Sequence, residues 1–274
     1  SSSSASVEAP AIALCASLSS SAASMRATVS SSSLASPYDP WAPIYDDWSA
    51  VMTDDVAFYV ELAREARGPI VELAVGTGRV AIPVARETGK RVVGIDSSPA
   101  MLKLARERVA EVGVDVELRE GDMRDLELDE PAALVYCPFR SLLHLPTWHD
   151  RRRVFERVAA SLRPGGRFAW NAFVFNPHVA ARNDGVARPH PGSETIWEFT
   201  EHASADNRID VTAFEGRPGN KPRRLSLWWV TKSEWEGLLD VAALETEALY
   251  RSFDRKPFDD DATEFVWIAR KPAR

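Results

Sequence analysis

Cysteine is scarce in this sequence. Cys15 and Cys137 are its two thiols, too few for a disulfide framework and without metal-ligand spacing. Long apolar runs are missing as well. No stretch approaches the ~20 residues that a membrane-spanning helix needs, and a cytoplasmic protein is expected. A basic surplus is also lacking: 33 Lys and Arg face 40 Asp and Glu, for a net charge of −7. That balance argues against a nucleic-acid partner, which calls for a basic patch. The one tight basic run, Arg151-Arg152-Arg153, reads as the exposed face of a helix. Large apolar side chains nearly vanish between Leu18 and Ser36. Residues 1–36, rich in Ser and Ala, therefore bury too little to offset their ordering entropy and read as a disordered tail. With Arg26 as its single arginine, the tail does not match a transit peptide, and Ala9 to Leu18 is too short for a signal sequence. Met25, inside it, is a candidate true start.

What remains is ordinary for a globular chain: 274 residues, 45% hydrophobic and 27% charged, enough for one large domain with a small appendage. Its organising stretch is VELAVGTGRVA, Val71 to Ala81. Ile70 to Leu73 suits a short buried strand interrupted by Glu72. Gly76-Thr77-Gly78 gives a turn where backbone can approach a ligand, because neither glycine carries a Cβ. From Arg79 onward, Val80, Ala81, Val84 and Ala85 fall at helical spacing. Strand, turn and helix place free backbone N–H groups and a helix N-terminus at one point, the outline of a nucleotide-cofactor site.

The elements around it alternate. Pro37 to Ser49 is aromatic and acidic; Tyr38, Trp41, Tyr45 and Trp48 either cap the core edge or close over a ligand at the glycine turn. A helix begins after Thr53, its N-cap, and stops at Arg67-Gly68-Pro69. Arg91 to Ile95 is a second strand ending in Asp96, positioned to bind ribose hydroxyls. Ser97-Ser98-Pro99 caps the next helix. Val114 to Leu118 and Pro131 to Tyr136 are the third and fourth strands, and Trp148 to Leu162 is a helix stopped by Arg163-Pro164-Gly165-Gly166. Arg167 to Phe175 is the fifth strand. Such alternation implies a doubly wound parallel sheet with its ligand at the C-terminal strand ends.

After a loop over Pro177 to Pro191, the runs Thr195 to His202, Arg208 to Phe214 and Arg224 to Val230 read as three antiparallel strands. Thr231 and Glu234 then form a capping box for a helix with Trp235, Leu238 and Leu239 facing inward. Ala243 to Ser252 and Glu264 to Lys271 close the chain as antiparallel sixth and seventh strands. The expected organisation is a tail (1–36), an α/β core (37–176), an inserted β-sheet (177–230) and a C-terminal return to the core (231–274).

Gly76 to Ala81 satisfies G-x-G-x-x-A, so an NAD(P)-dependent Rossmann oxidoreductase is one reading. A glutamate, Glu72, sits inside the first strand, and two features are left unexplained by that reading: Gly121-Asp122 after the third strand and Leu162-Arg163-Pro164-Gly165-Gly166 before the fifth. Together, in that order, they resemble the class I S-adenosylmethionine-dependent methyltransferases, from about Tyr38 to the C-terminus, and in particular the small-molecule branch acting on natural products and amino sugars. The resemblance implies a seven-stranded Rossmann-like sheet whose inserted strands cover the substrate; a dimerisation element, and hence a homodimer, is the other reading of that insert.

It also implies roles. Ala74, Gly76, Gly78 and Arg79 would wrap the methionine end of S-adenosylmethionine, with Ala74 standing where the family usually has glycine. Glu72 would hold the cofactor ammonium, and Cys137 would offer a backbone carbonyl to it rather than act as a nucleophile. Asp96, with Ser97 beside it, would bind the ribose. Met101 would pack on the adenine, with Asp122 and the Met123 amide reading its edge. Tyr38 and Tyr45 would close over the cofactor. A hydroxyl acceptor would need His144 or Tyr45 as its base, although His144 in its apolar run also suits packing. Arg140, Asn171, Trp197 and Trp229 are the substrate-side candidates, and no metal is expected. A catalytically inactive methyltransferase-like binding protein would share the same core.

Overall fold

The computed structural model describes residues 36–216 and 221–273. Its elements run α1 (Tyr45–Ser49), α2 (Asp54–Glu65), β1 (Ile70–Leu73), α3 (Ala81–Thr88), β2 (Val92–Asp96), α4 (Pro99–Val112), β3 (Val116–Glu120), β4 (Ala132–Cys137), α5 (Trp148–Ser161) and β5 (Leu162–Phe173). Then follow α6 (Pro177–Asn183), β6 (Arg188–Pro189), β7 (Ile196–Ala203), β8 (Arg208–Glu215), β9 (Arg223–Trp228), α7 (Lys232–Val241), β10 (Glu245–Tyr250) and β11 (Glu264–Arg270).

One sheet has seven strands in the order β10-β11-β5-β4-β1-β2-β3. Every neighbouring pair from β5 to β3 is parallel, and β11 runs antiparallel to both β5 and β10. Only β11 is therefore reversed; β10, expected to be antiparallel as well, points the same way as the parallel strands. Side chains alternate between two cores, as the two-residue period of a strand requires. Phe168, Trp170, Phe265 and Trp267 join Phe155, Trp235 and Leu238 on the face covered by α5 and α7. Ala169, Val266 and Ile268 join Phe58, Tyr59, Val84 and Leu102 on the other face. Trp170 and Trp267 stack at 5.6 Å.

A second sheet, β6-β7-β8-β9, is antiparallel throughout. It packs on the N-terminal segment: Trp41, Ala42, Ile44 and Tyr45 share a buried cluster with Ile196, Ala213 and Leu225. That segment, Asp39–Ile44 as a 3-10 helix followed by α1, bridges the small sheet and the main one.

Several local expectations change. The tail lies outside the described residues except Ser36, which is buried. Thr53 occupies the N-cap of α2 without a side-chain hydrogen bond. β3 starts two residues late because Gly113 ends α4 in the left-handed region and Val114 closes a tight turn to Val116. β5 begins before the Pro-Gly-Gly run rather than after it; a register irregularity against β4 absorbs the extra residues. The stretch expected to be loop holds α6 and β6, with the Asn176 side chain accepting from the His178 and Val179 amides and Pro177 in the first turn, a start signal visible in the sequence. Thr231 caps α7, but the capping box is half formed, since Glu234 turns instead to Arg151. Arg151 is thus buried, unlike its exposed neighbours Arg152 and Arg153.

Candidate active site

A cavity of about 230 Å³ opens at the C-terminal ends of β1 to β4, where strand order reverses between β1 and β4. Open α/β sheets bind ligands at such switch points. Among its lining residues are Tyr38, Tyr45, Ala74, Gly76, Asp96, Ser97, Met101, Asp122, Met123 and His144, all ten named from the sequence. Ser36, Pro37, Ile95, Gly121, Arg124, Ser141, Leu145 and Pro146 also line it; of these, Ser36, Arg124 and Ser141 carry polar side chains that no motif flagged.

The glycine turn is shaped by backbone. Gly76 and Gly78 have φ of 55° and 83°, angles that residues with a Cβ adopt at a cost. Ala74 adopts φ 55° regardless. Three amides of this stretch are bonded within the protein. Val75 N–H donates to the Ile95 carbonyl, Gly78 N–H to the Val75 carbonyl, and Gly76 N–H to Asp96 Oδ2 at 2.8 Å. Asp96 Oδ1 accepts from Ser98 N–H at 2.8 Å. Burial raises the Asp96 pKa, a rise opposed by the Ser98 and Gly76 amides.

Asp122 caps a short 3-10 turn, its Oδ1 accepting from Arg124 N–H at 2.8 Å, while the Arg124 guanidinium grips both oxygens. Burial would raise the Asp122 carboxyl, yet these bonds hold it below the usual carboxylate range. Glu72 is 1% exposed, and burial pushes its pKa well up. The neighbouring Tyr136 hydroxyl opposes that rise, although neither it nor Glu72 Oε2 has a partner in hydrogen-bond geometry. An unpaired buried carboxyl oxygen behind the turn is costly.

His144 is held at both nitrogens. Nδ1 is 2.9 Å from the Ser226 carbonyl oxygen, and Nε2 is 2.6 Å from the Tyr38 hydroxyl. A carbonyl can only accept, so Nδ1 carries the proton and Nε2 accepts from Tyr38. Burial pushes the His144 pKa down to about 4 and raises both Tyr38 and Tyr45. At neutral pH the imidazole is neutral and both phenols keep their protons.

Other predicted residues lie elsewhere. Glu72, Gly78, Arg79 and Cys137 are not cavity-lining. Arg79 is forked to Asp55 at 2.7 and 2.6 Å and donates to the Met52 carbonyl. Buried Cys137 has its pKa raised by desolvation, which leaves the thiol unreactive. None of the substrate-side candidates reaches the cavity. Arg140 is paired to Glu264, and Asn171 is buried between Tyr59 and Glu264. Trp197 lies mid-sheet opposite Phe214 and Pro189, and Trp229 stacks on Phe175 at 3.9 Å. Sequence spacing along strands could not show which face or partner each would take. Among the described residues, no cluster of His, Cys, Asp or Glu is arranged to hold a metal, and no helix is long and apolar enough to cross a membrane.

Fold and cavity together define a Rossmann-like nucleotide-cofactor enzyme with an inserted antiparallel sheet. The family description "Methyltransferase domain" matches residues 70–166. The dTDP-4-amino-2,3,4,6-tetradeoxy-D-glucose N,N-dimethyltransferase of Saccharopolyspora spinosa is 32% identical over 78% of this chain and 82% of its own length. The 27-O-demethylrifamycin SV methyltransferase of Amycolatopsis mediterranei is 30% identical over 83% of this chain and 88% of its own. Among solved structures, the CcbJ methyltransferase from Streptomyces caelestis aligns with a TM-score of 0.76 and 26% identity, covering 87% of this chain and 99% of that one. The chain belongs to the S-adenosylmethionine-dependent methyltransferases and is an enzyme acting on small molecules.

Proposed function

We propose that the acceptor atom is an amine nitrogen, on a small metabolite of the amino-sugar kind. The observation that carries this reading is the state of His144: its one lone pair is taken by the Tyr38 hydroxyl, and its other nitrogen is committed to Ser226. With Tyr38 and Tyr45 both protonated at neutral pH, the cavity offers no free base for a hydroxyl. A neutral amine brings its own lone pair and needs none.

Bound S-adenosylmethionine supplies a methyl group already activated on a sulfonium sulfur. Asp96 is the ribose acceptor, Met101 the apolar floor under the adenine, and Asp122 with the Met123 amide its edge. The Gly76–Gly78 turn takes the methionine end, with Glu72 behind it. Tyr38 and Tyr45 lie over the cavity, and with the small sheet as a lid they exclude water and align the acceptor. The S. spinosa relative, an N,N-dimethyltransferase by name, supports an amine. Cytoplasmic placement and a homodimer are consistent extensions.

The test uses two primary-amine acceptors of different basicity, starting with a nucleotide-linked 4-amino sugar, and the hydroxyl analogue of the first. The acidic limb of kcat/KM is expected to move with the acceptor's own pKa, and the hydroxyl analogue is expected to receive no methyl group. Methylation of the hydroxyl, with a limb fixed by the enzyme, would sink the reading.

A further inference from the structure

Phe139 and Arg140 are consecutive residues with left-handed backbone, φ 58° and 62°. Residues bearing side chains hold such angles only where their surroundings impose them. The turn is tied by Ser141, whose N–H and hydroxyl both donate to the Pro138 carbonyl, and by an ion pair anchored in the sheet. Arg140 Nε and Nη2 donate to Glu264 Oε1 and Oε2 at 3.1 and 2.8 Å. Glu264, on β11, is 7% exposed. Its Oε1 also accepts from Asn171 Nδ2 at 2.7 Å, and Asn171 Oδ1 accepts from the Tyr59 hydroxyl at 3.2 Å. The fork therefore has a fixed base.

The braced turn delivers the Phe139 ring. It packs against Tyr45 and Trp48, and the Arg79 guanidinium carbon lies 4.5 Å from its centroid. Arg79 follows Gly78 directly and is fixed from its far end by Asp55 and the Met52 carbonyl. Of the five guanidinium N–H donors, those bonds use three: both on Nη1 and one on Nη2. The Nε–H and the second Nη2–H are left, the pair that grips a carboxylate side-on.

We propose that Arg140 is a positioning residue: its pair with Glu264 holds Phe139 over Arg79, so that the remaining Arg79 donors are fixed to take the carboxylate of the cofactor's methionine end. This rests on the reading that the methionine end lies at the Gly76–Gly78 turn. The brace acts on one end of the cofactor and leaves the adenine and ribose contacts alone.

Calorimetric titration with S-adenosylhomocysteine and with 5′-methylthioadenosine separates the two ends, since the second ligand keeps adenine, ribose and sulfur but lacks the amino-acid portion. Arg140→Gln and Glu264→Gln are each expected to weaken S-adenosylhomocysteine binding by about tenfold and 5′-methylthioadenosine binding by less than about twofold. Phe139→Leu, which leaves the ion pair intact but removes the ring, is expected to show the same selectivity and serves if either polar variant fails to fold. Equal losses for both ligands, or no loss for S-adenosylhomocysteine, would overturn the brace. Wild-type protein that binds both ligands equally would overturn the site reading beneath it.

Discussion

Ala74 carries a methyl group at φ 55°, an angle glycine adopts freely and alanine does not. Ala74→Gly therefore relieves strain in the folded turn while adding freedom to the unfolded chain, and at a positive φ the first effect wins. The substitution is expected to stabilise the protein by about 1 kcal/mol, read as a higher urea midpoint at unchanged slope, and to tighten S-adenosylhomocysteine binding by removing the methyl group from the cavity wall. A lower midpoint would show that the Cβ is packed rather than strained. That Asp96 and Asp122 come to the cavity was legible at this scale, because the C-terminal end of a strand fixes both position and direction. Asn171 and Arg140 were not. Each belongs to a pair with Glu264, almost a hundred or more positions away, and no local spacing encodes that meeting.

Helix α5 shows the same limit at the scale of an element. Its length was readable; its N-cap, Thr147, which accepts from Asp150 N–H and starts the helix, was not named from the sequence. The direction of Arg151 was not readable, because three adjacent arginines cover most of a helical turn and tertiary packing decides which one is buried. Arg151 is that one. Its Nε and Nη2 reach Glu234 Oε1 at 3.0 and 2.7 Å, and Nη1 reaches the Leu145 carbonyl at 2.6 Å, tying α5 to α7 and to the segment bearing His144. Breaking one side of a buried pair strands the other charge. Arg151→Met is expected to cost about 3–5 kcal/mol in urea unfolding. Adding Glu234→Gln should recover part of that loss, since the double variant leaves no unpaired charge; strict additivity would mean that the two side chains act separately.

Over the whole molecule, the N-terminal segment is the joint between the main sheet and the small one, and two histidines fasten it with opposite responses to pH. His144 binds Tyr38 from the core side. His190, 3% exposed, lies on the side of the small sheet, with Nε2 donating to the Trp48 carbonyl at 2.7 Å and Nδ1 3.1 Å from Glu198 Oε1, outside hydrogen-bond geometry. Glu198 also accepts from the Trp48 indole, and the Trp48 ring stacks on His190. Burial alone would lower the His190 pKa, but the Glu198 carboxylate more than offsets it and the net shift is upward. Its stabilisation is complete below the unfolded value near 6.5 and is lost as pH rises through the folded value. His144 works the other way. With its folded pKa down at about 4, the unfolded state binds the extra proton between about 6.5 and 4, so stability falls as pH drops through that window. The two contributions should place a stability maximum near about pH 6.5. Urea midpoints from pH 4.5 to 9 are expected to lose their alkaline decline in His190→Gln and to flatten on the acid side in His144→Phe. If His190→Gln keeps the full alkaline decline, the small sheet is not fastened by that imidazole, and its grip on the segment falls to Trp41, whose indole donates to the Arg224 carbonyl, and Arg223, which donates to the Pro40 carbonyl.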